Sequence, residues 1–234
     1  MLWSRRRKGS ALNAGMRDGL FADESLEEVA SRATSTSDDV WSHFAVAQQA
    51  LREGDKTGAI QALRRVEEME GQEARLHLQA WHCLRMLGEP PPGSIAREVK
   101  GVVVEVGLRG GVDLVAAYAD HTARYWNFRA GTGIMWDVPG DTEMASLIDA
   151  LLQAGEAIVD NTGPLDGARP PVPWRGRARI NVLTLGGLHF GEDEFDELAK
   201  HPLGGPAINA ALALMLALME EDKARREQDK NAGQ

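Results

Sequence analysis

The chain has 234 residues, with 26 Lys and Arg against 35 Asp and Glu, and a formal net charge of −9 at pH 7. That length allows one large domain or two small ones, and a 43% hydrophobic share supplies a sizeable core. The negative charge argues against a nucleic-acid binder, which needs a concentrated positive surface; the single cysteine, Cys83, excludes an internal disulfide framework and a zinc site of several thiolates.

Residues 1–20 run against this balance. Arg5, Arg6, Arg7, Lys8 and Arg17 face Asp18 alone, a net of +4 that leaves −13 for the other 214 residues. No apolar stretch follows Arg5–Lys8, so this start does not read as an export signal, and the cytoplasm is the expected compartment. Residues 1–37 read as a basic, partly disordered leader. Its one short helix begins at Ser25-Leu26-Glu27-Glu28, which has the capping-box pattern.

Asp38 or Asp39 caps the next helix, in which Trp41, Phe44, Ala47 and Leu51 recur at helical spacing. Gly54-Asp55 ends it and starts another, carrying Ile60, Leu63 and Val66. Thirty-four residues on, Gly88-Glu89 echoes Gly54-Asp55 and Leu84 stands where Ala50 stood. With the small Ala47 and Ala59 at close-contact positions, this unit resembles the tetratricopeptide repeat, whose period is 34 residues. Trp81 departs from the pattern where a small residue belongs, and Pro90-Pro91-Pro92-Gly93 stops the chain before a fourth helix. The resemblance implies protein binding for residues 40–89. A repeat and a half leaves an open helical face for a partner or a second copy of the chain.

Past the prolines, which close a helical region over 38–93, alternation replaces the helical period. Val102–Leu108, Leu114–Tyr118, Ala123–Phe128 and Ile134–Val138 read as an antiparallel meander, with Asp120-His121 in a tight turn. Asp141 caps a helix with the stripe Met144, Leu147, Ile148, Leu151, Leu152 and Ile158. A long loop over 161–177 holds Pro164, Pro170, Pro171 and Pro173, and loops of that length are usually functional or disordered. A hairpin about Gly186-Gly187 follows, and the acidic Glu192-Asp193-Glu194 suits the start of a helix. Pro206 opens a final helix, whose Ile208, Leu212, Met215, Leu216 and Met219 need a sheet to cover. The most apolar run, 207–219, is shorter than the ~20 residues a membrane span requires, so no transmembrane segment is expected. The expected fold class is α+β: residues 94–226 form a mostly antiparallel sheet covered by two helices, and 227–234 a disordered tail.

Little in the chain carries chemistry. No phosphate loop, dinucleotide fingerprint or nucleophile elbow occurs. His77, His82 and Cys83 are spaced off a shared helical face, so neither a metal nor a cofactor is expected. The most unusual segment is the stiff, basic stretch around Trp174, Arg175, Arg177 and Arg179. With Trp126 lining a groove, it suits capture of a protein partner, and an acidic one by charge. The expected function is a non-catalytic protein-interaction or adaptor module. The alternative is an enzyme or small-molecule sensor with a dispersed site at Asp120, His121, Arg124 and His189.

Overall fold

Gly54 and Gly88 end two helices of the N-terminal region where the sequence places them. The structure, a computed structural model, describes residues 15–33, 39–129, 131–138 and 140–232; the basic stretch 1–14 and residues 34–38, with the cap candidate Asp38, lie outside the described residues. The chain divides into two units, residues 1–98 with 184–187 and residues 99–183 with 188–234. Helices of the first are α1 (15–21), α2 (Leu26–Ala30), α3 (Val40–Arg52), α4 (Lys56–Glu68), α5 (Ala74–Met86) and the single turn α6 (Gly93–Ala96).

Side-chain caps start three of these helices. Ser25 and Glu28 form both halves of the capping box, the Asp39 carboxylate accepts from the Ser42 amide, and Asp55 accepts from the Gly58 amide. The 34-residue echo is physical. After α3 the Asp55 amide donates to the Ala50 carbonyl at 2.8 Å, and after α5 the Glu89 amide donates to that of Leu84 at 2.9 Å. Between them Gly54 and Gly88 take φ of 81° and 83°, so both helices close in the same way around a left-handed residue. Phe44, Ala47, Leu63, Val66, Trp81 and Leu84 are fully buried. Trp81, where a small residue was expected, is buried with the Arg64 guanidinium 4.4 Å from its ring centroid.

The leader holds a second helix, α1, beside the one expected after Ser25. From residue 15 the leader is folded: Leu20, Phe21 and Ala22 are buried, and Gln79 accepts from the Glu24 amide at 3.2 Å and donates to its carbonyl at 2.9 Å. Three consecutive core residues among charged neighbours show no period to read.

The second unit is built on a six-stranded sheet in the order β4-β3-β2-β1-β5-β6. The strands are β1 (Val99–Leu108), β2 (Gly111–Tyr118), β3 (Ala123–Asn127), β4 (Thr132–Trp136), β5 (Arg177–Thr184) and β6 (Gly187–Glu194). The helices are α7 (Thr142–Asn161), α8 (Phe195–Lys200) and α9 (Gly204–Ala232). β1 to β4 form the expected antiparallel meander. The β5–β6 hairpin joins on the far side of β1, where the Gly176 amide donates to the Gly107 carbonyl and Asn181 reaches the carbonyl of Val103. As residue numbers rise along β5 they fall along β1, so these strands too are antiparallel. The fold class is α+β.

Both helices expected to cover the sheet do so. Val102, Val104, Val115, Ala117, Ile180 and Val182 meet Ile148, Leu151 and Ile158 of α7, and Ile208, Ala211, Leu214 and Leu218 of α9, in one core. Gly155 lets α7 approach: a Cβ there would lie 2.6 Å from Val102 Cγ2. One boundary differs from expectation. Residues 227–232, expected as a disordered tail, continue α9, whose charged end is rich in helix formers and carries an Arg226–Asp222 pair at 2.8 Å, one turn apart. The run Glu192-Asp193-Glu194 belongs to β6 and also leads into the expected helix start, since Glu194 is the N-cap of α8 at Phe195.

Candidate functional site

Strand alternation turns Val103, Glu105 and Gly107 away from α7 and α9. The register carries that second face across the meander: Glu105 lies opposite Leu114, Leu114 opposite Trp126, and Trp126 opposite Gly133. Arg179 of β5 and Glu192 of β6 continue the row beyond β1, so one line of residues crosses all six strands.

Arg179 is its hub. Only 3% exposed, it stands 3.6 Å from the fully buried Glu105 carboxylate. Its Nε donates to Glu192 Oε2 at 2.8 Å, its Nη2 donates to the same oxygen, and its Nη1 donates to the carbonyls of Pro171 at 2.7 Å and Pro170 at 3.3 Å. Arg177 Nε donates to Glu192 Oε1 at 2.8 Å. Asn181 Nδ2 donates to the Val103 carbonyl at 3.0 Å and to Glu105 at 3.3 Å. Burial pushes the Glu192 carboxyl up, but hydrogen bonds from Arg177 and Arg179 outweigh it and hold the group below the ordinary carboxylate value. Charges this deep are tolerated because Arg179 stands between two carboxylates, hydrogen-bonded to Glu192 and ion-paired with Glu105, which also accepts from Asn181.

The proline-rich segment 162–176 lies over this row and is tied down along its length. The Leu165 amide donates to the Leu188 carbonyl at 2.6 Å, Arg179 holds the carbonyls of Pro170 and Pro171, and the Gly176 amide donates to Gly107 at 2.9 Å. Gly107 is bare because the loop passes directly above it: a Cβ there would collide with the Trp174 carbonyl oxygen and lie 2.5 Å from that of Pro173. With the backbone so held and Pro173 buried, the Trp174 side chain points outward, 81% exposed, beside the exposed Arg175.

The structure therefore gathers Trp126, Trp174, Arg175, Arg177 and Arg179 on one face, but in different roles. Trp174 and Arg175 form the outward tip. Arg177 and Arg179, read in the sequence as partner-gripping, are engaged by Glu105, Glu192 and Glu194 of the same unit. Trp126 is half-buried, lying over Gly133, where a Cβ would enter its ring, and edge-on to Phe128 at 5.9 Å. It lies on the surface of the sheet. Glu105, Glu192 and Gly107 were missed, although one signal was present: Arg177-x-Arg179 and Glu192-x-Glu194 share the two-residue strand period with opposite charges, as paired strands require.

The alternative constellation does not assemble. His189 sits on β6, four strand spacings from Arg124 on β3, or about 19 Å. Asp120 is bound into its turn, accepting from the Thr122 amide at 3.0 Å, and His121 takes φ of 60° there. His121 Nε2 lies 2.9 Å from Asp149, both more than half exposed. Arg124 donates to the carbonyls of Ala123 and Trp136, each at 2.9 Å, and the buried His189 has Nδ1 3.0 Å from Thr162 Oγ1.

The first unit holds a cavity of about 280 Å³ lined by Glu24, Arg32, Trp41, Glu73, Arg75 and Gln79. Its charges are matched within it, Arg32 to Glu24 and Arg75 to Glu73, each at 2.5 Å, and Arg32 covers the Trp41 ring at 5.2 Å. Among the described residues no group of three His, Cys, Asp or Glu is arranged to hold a metal ion, and no helix is long and apolar enough to cross a membrane. Comparison with family models, curated proteins and solved structures finds no match for this chain.

Proposed function

We propose that this chain is a non-catalytic, cytoplasmic protein-interaction module whose contact is the tip of loop 162–176, led by Trp174 and Arg175. The observation that carries this reading is Trp174 itself: a tryptophan 81% exposed on a loop anchored at Leu165, Pro170, Pro171 and Gly176. Tryptophan and arginine dominate the residues whose truncation costs most binding energy. A side chain shown on an already ordered backbone loses little further entropy when a partner closes over it. The partner chemistry that fits is an apolar pocket for the indole with a carboxylate beside it for Arg175. A broadly acidic partner is not required, because Arg177 and Arg179 are already neutralised.

The full chain and its Trp174→Ala variant, used side by side as bait in native lysate with mass spectrometry, test this. A protein retained in stoichiometric amount by the wild type and lost by the variant is the expected result, with Arg175→Glu giving a partial loss. Equal retention by all three baits contradicts it.

A further inference from the structure

The cavity of the first unit is walled by charges of both signs in equal number. Glu24 and Glu73 line it together with Arg32 and Arg75. An ion of either sign would disturb that balance, whereas a molecule carrying both signs keeps it. Glu24 is the buried end, with 9% of its side chain exposed. Arg32 donates to its Oε1, and no hydrogen bond among the described residues reaches its Oε2. Burial pushes this carboxyl above the ordinary value in spite of Arg32, and the nearby Glu28 and Asp18 push it the same way. A second cationic donor is what this carboxylate lacks.

Groups of opposite charge converge on Gly19 of α1. A Cβ there would lie 3.5 Å from Glu24 Oε2, and Arg75 Nη1 donates to the Gly19 carbonyl at 3.1 Å. Ala22, at φ 52°, turns the chain out of α1 towards Glu24 in a left-handed conformation that side chains rarely adopt. Gln79, 3% exposed, then grips the amide and the carbonyl of Glu24, so the residue is positioned through its main chain and not through its carboxylate. A carboxylate and a guanidinium this close suit a ligand whose ammonium and carboxylate stand on one carbon. Trp41 and Leu76 give the cavity its apolar wall. Its volume of about 280 Å³ is that of roughly nine waters, which is room for an amino acid about the size of leucine.

We propose that this cavity binds a free apolar α-amino acid of about leucine's size. The ligand's ammonium donates to Glu24 Oε2, and its carboxylate accepts from Arg75. It replaces Glu73 there, whose side chain is 44% exposed and whose pair with Arg75 is a surface one of little strength. The ligand's side chain lies against Trp41 and Leu76. The site belongs to the first unit and Trp174 to the second, so it does not depend on the interaction reading above.

Calorimetric titration of the full chain with L-leucine tests the proposal. Saturable binding of a single molecule per chain is expected. Leucinamide, which lacks the carboxylate, and N-acetyl-leucine, which lacks the ammonium, should each bind about tenfold more weakly or worse. Glu24→Gln should raise the L-leucine Kd about tenfold and leave that of N-acetyl-leucine unchanged, because the lost partner is the ammonium's. Arg75→Gln should raise it by as much and leave that of leucinamide unchanged. Trp174→Ala should alter none of these values. Absence of saturable heat with L-leucine, leucinamide binding as well as L-leucine, or unchanged affinity in Glu24→Gln would overturn the proposal. So would either variant weakening all three ligands alike, which is the mark of a damaged fold and not of a lost contact.

Discussion

On one face of the six-stranded sheet, Val102, Val104, Val115 and Ile180 meet α7 and α9 through hydrocarbon; on the other, Glu105, Arg179 and Glu192 share a row beneath a proline-rich loop. The first face is held by many weak, non-directional contacts, so its stability is spread over a dozen side chains. The second is held by a few directional ones converging on a single guanidinium. A packed face degrades gradually when altered, whereas a buried ionic network fails when one member is removed. The loop that displays Trp174 rests on the second kind of support.

The largest expected effect follows from that contrast. Arg179→Ala leaves Glu105 buried without its guanidinium and should cost about 3–5 kcal/mol in denaturant titration. Replacing both partners, as Arg179→Met with Glu105→Leu, should recover most of that loss, since matched apolar groups need no counter-charge. A double variant as unstable as the single one would break the comparison. Next in size, Leu151→Ala on the helical face should cost about 3 kcal/mol by cavity formation, with the Gly176 amide losing protection only in step with the neighbouring strands. Loss of protection there beyond that of the strands would mean that the two faces are not independent.

Gly107→Ala should cost about 1–3 kcal/mol through overpacking. Because the added methyl would collide with the Trp174 carbonyl, the damage should concentrate in the loop and appear as faster proteolytic nicking within 162–176. The smallest effect is in pH. Glu192 is held below the ordinary carboxylate value, so its contribution is fully present above about pH 4.3 and is lost as pH falls through the lowered value. The stability difference between the wild type and Glu192→Gln should therefore shrink on acidification below that point. A constant difference would show that ionisation of Glu192 does not support the loop.

The apolar face could be read from the sequence and the ionic face could not, for a definite reason. The stripe Met144, Ile148, Leu151 and Ile158, the Asp141 cap and the alternation Val102, Val104, Val106 are local patterns, visible within one element. The row Glu105, Arg179, Glu192 joins β1 to a hairpin far along the chain, and its meaning depends on β5 lying between β1 and β6. Without that order, Arg175, Arg177 and Arg179 beside Trp174 look like a free basic surface. The helix ends at Gly54 and Gly88 were readable for the same local reason, and the buried Leu20-Phe21-Ala22 was not, having no period of its own.

Amide hydrogen exchange on the full chain tests the central claim, that a backbone held from beneath displays Trp174. The account predicts that the amides of Leu165, Gly176 and Arg177 exchange as slowly as those of the neighbouring strands, and that Arg179→Ala releases them. Exchange at those amides in the wild type as fast as in an unstructured peptide would contradict it.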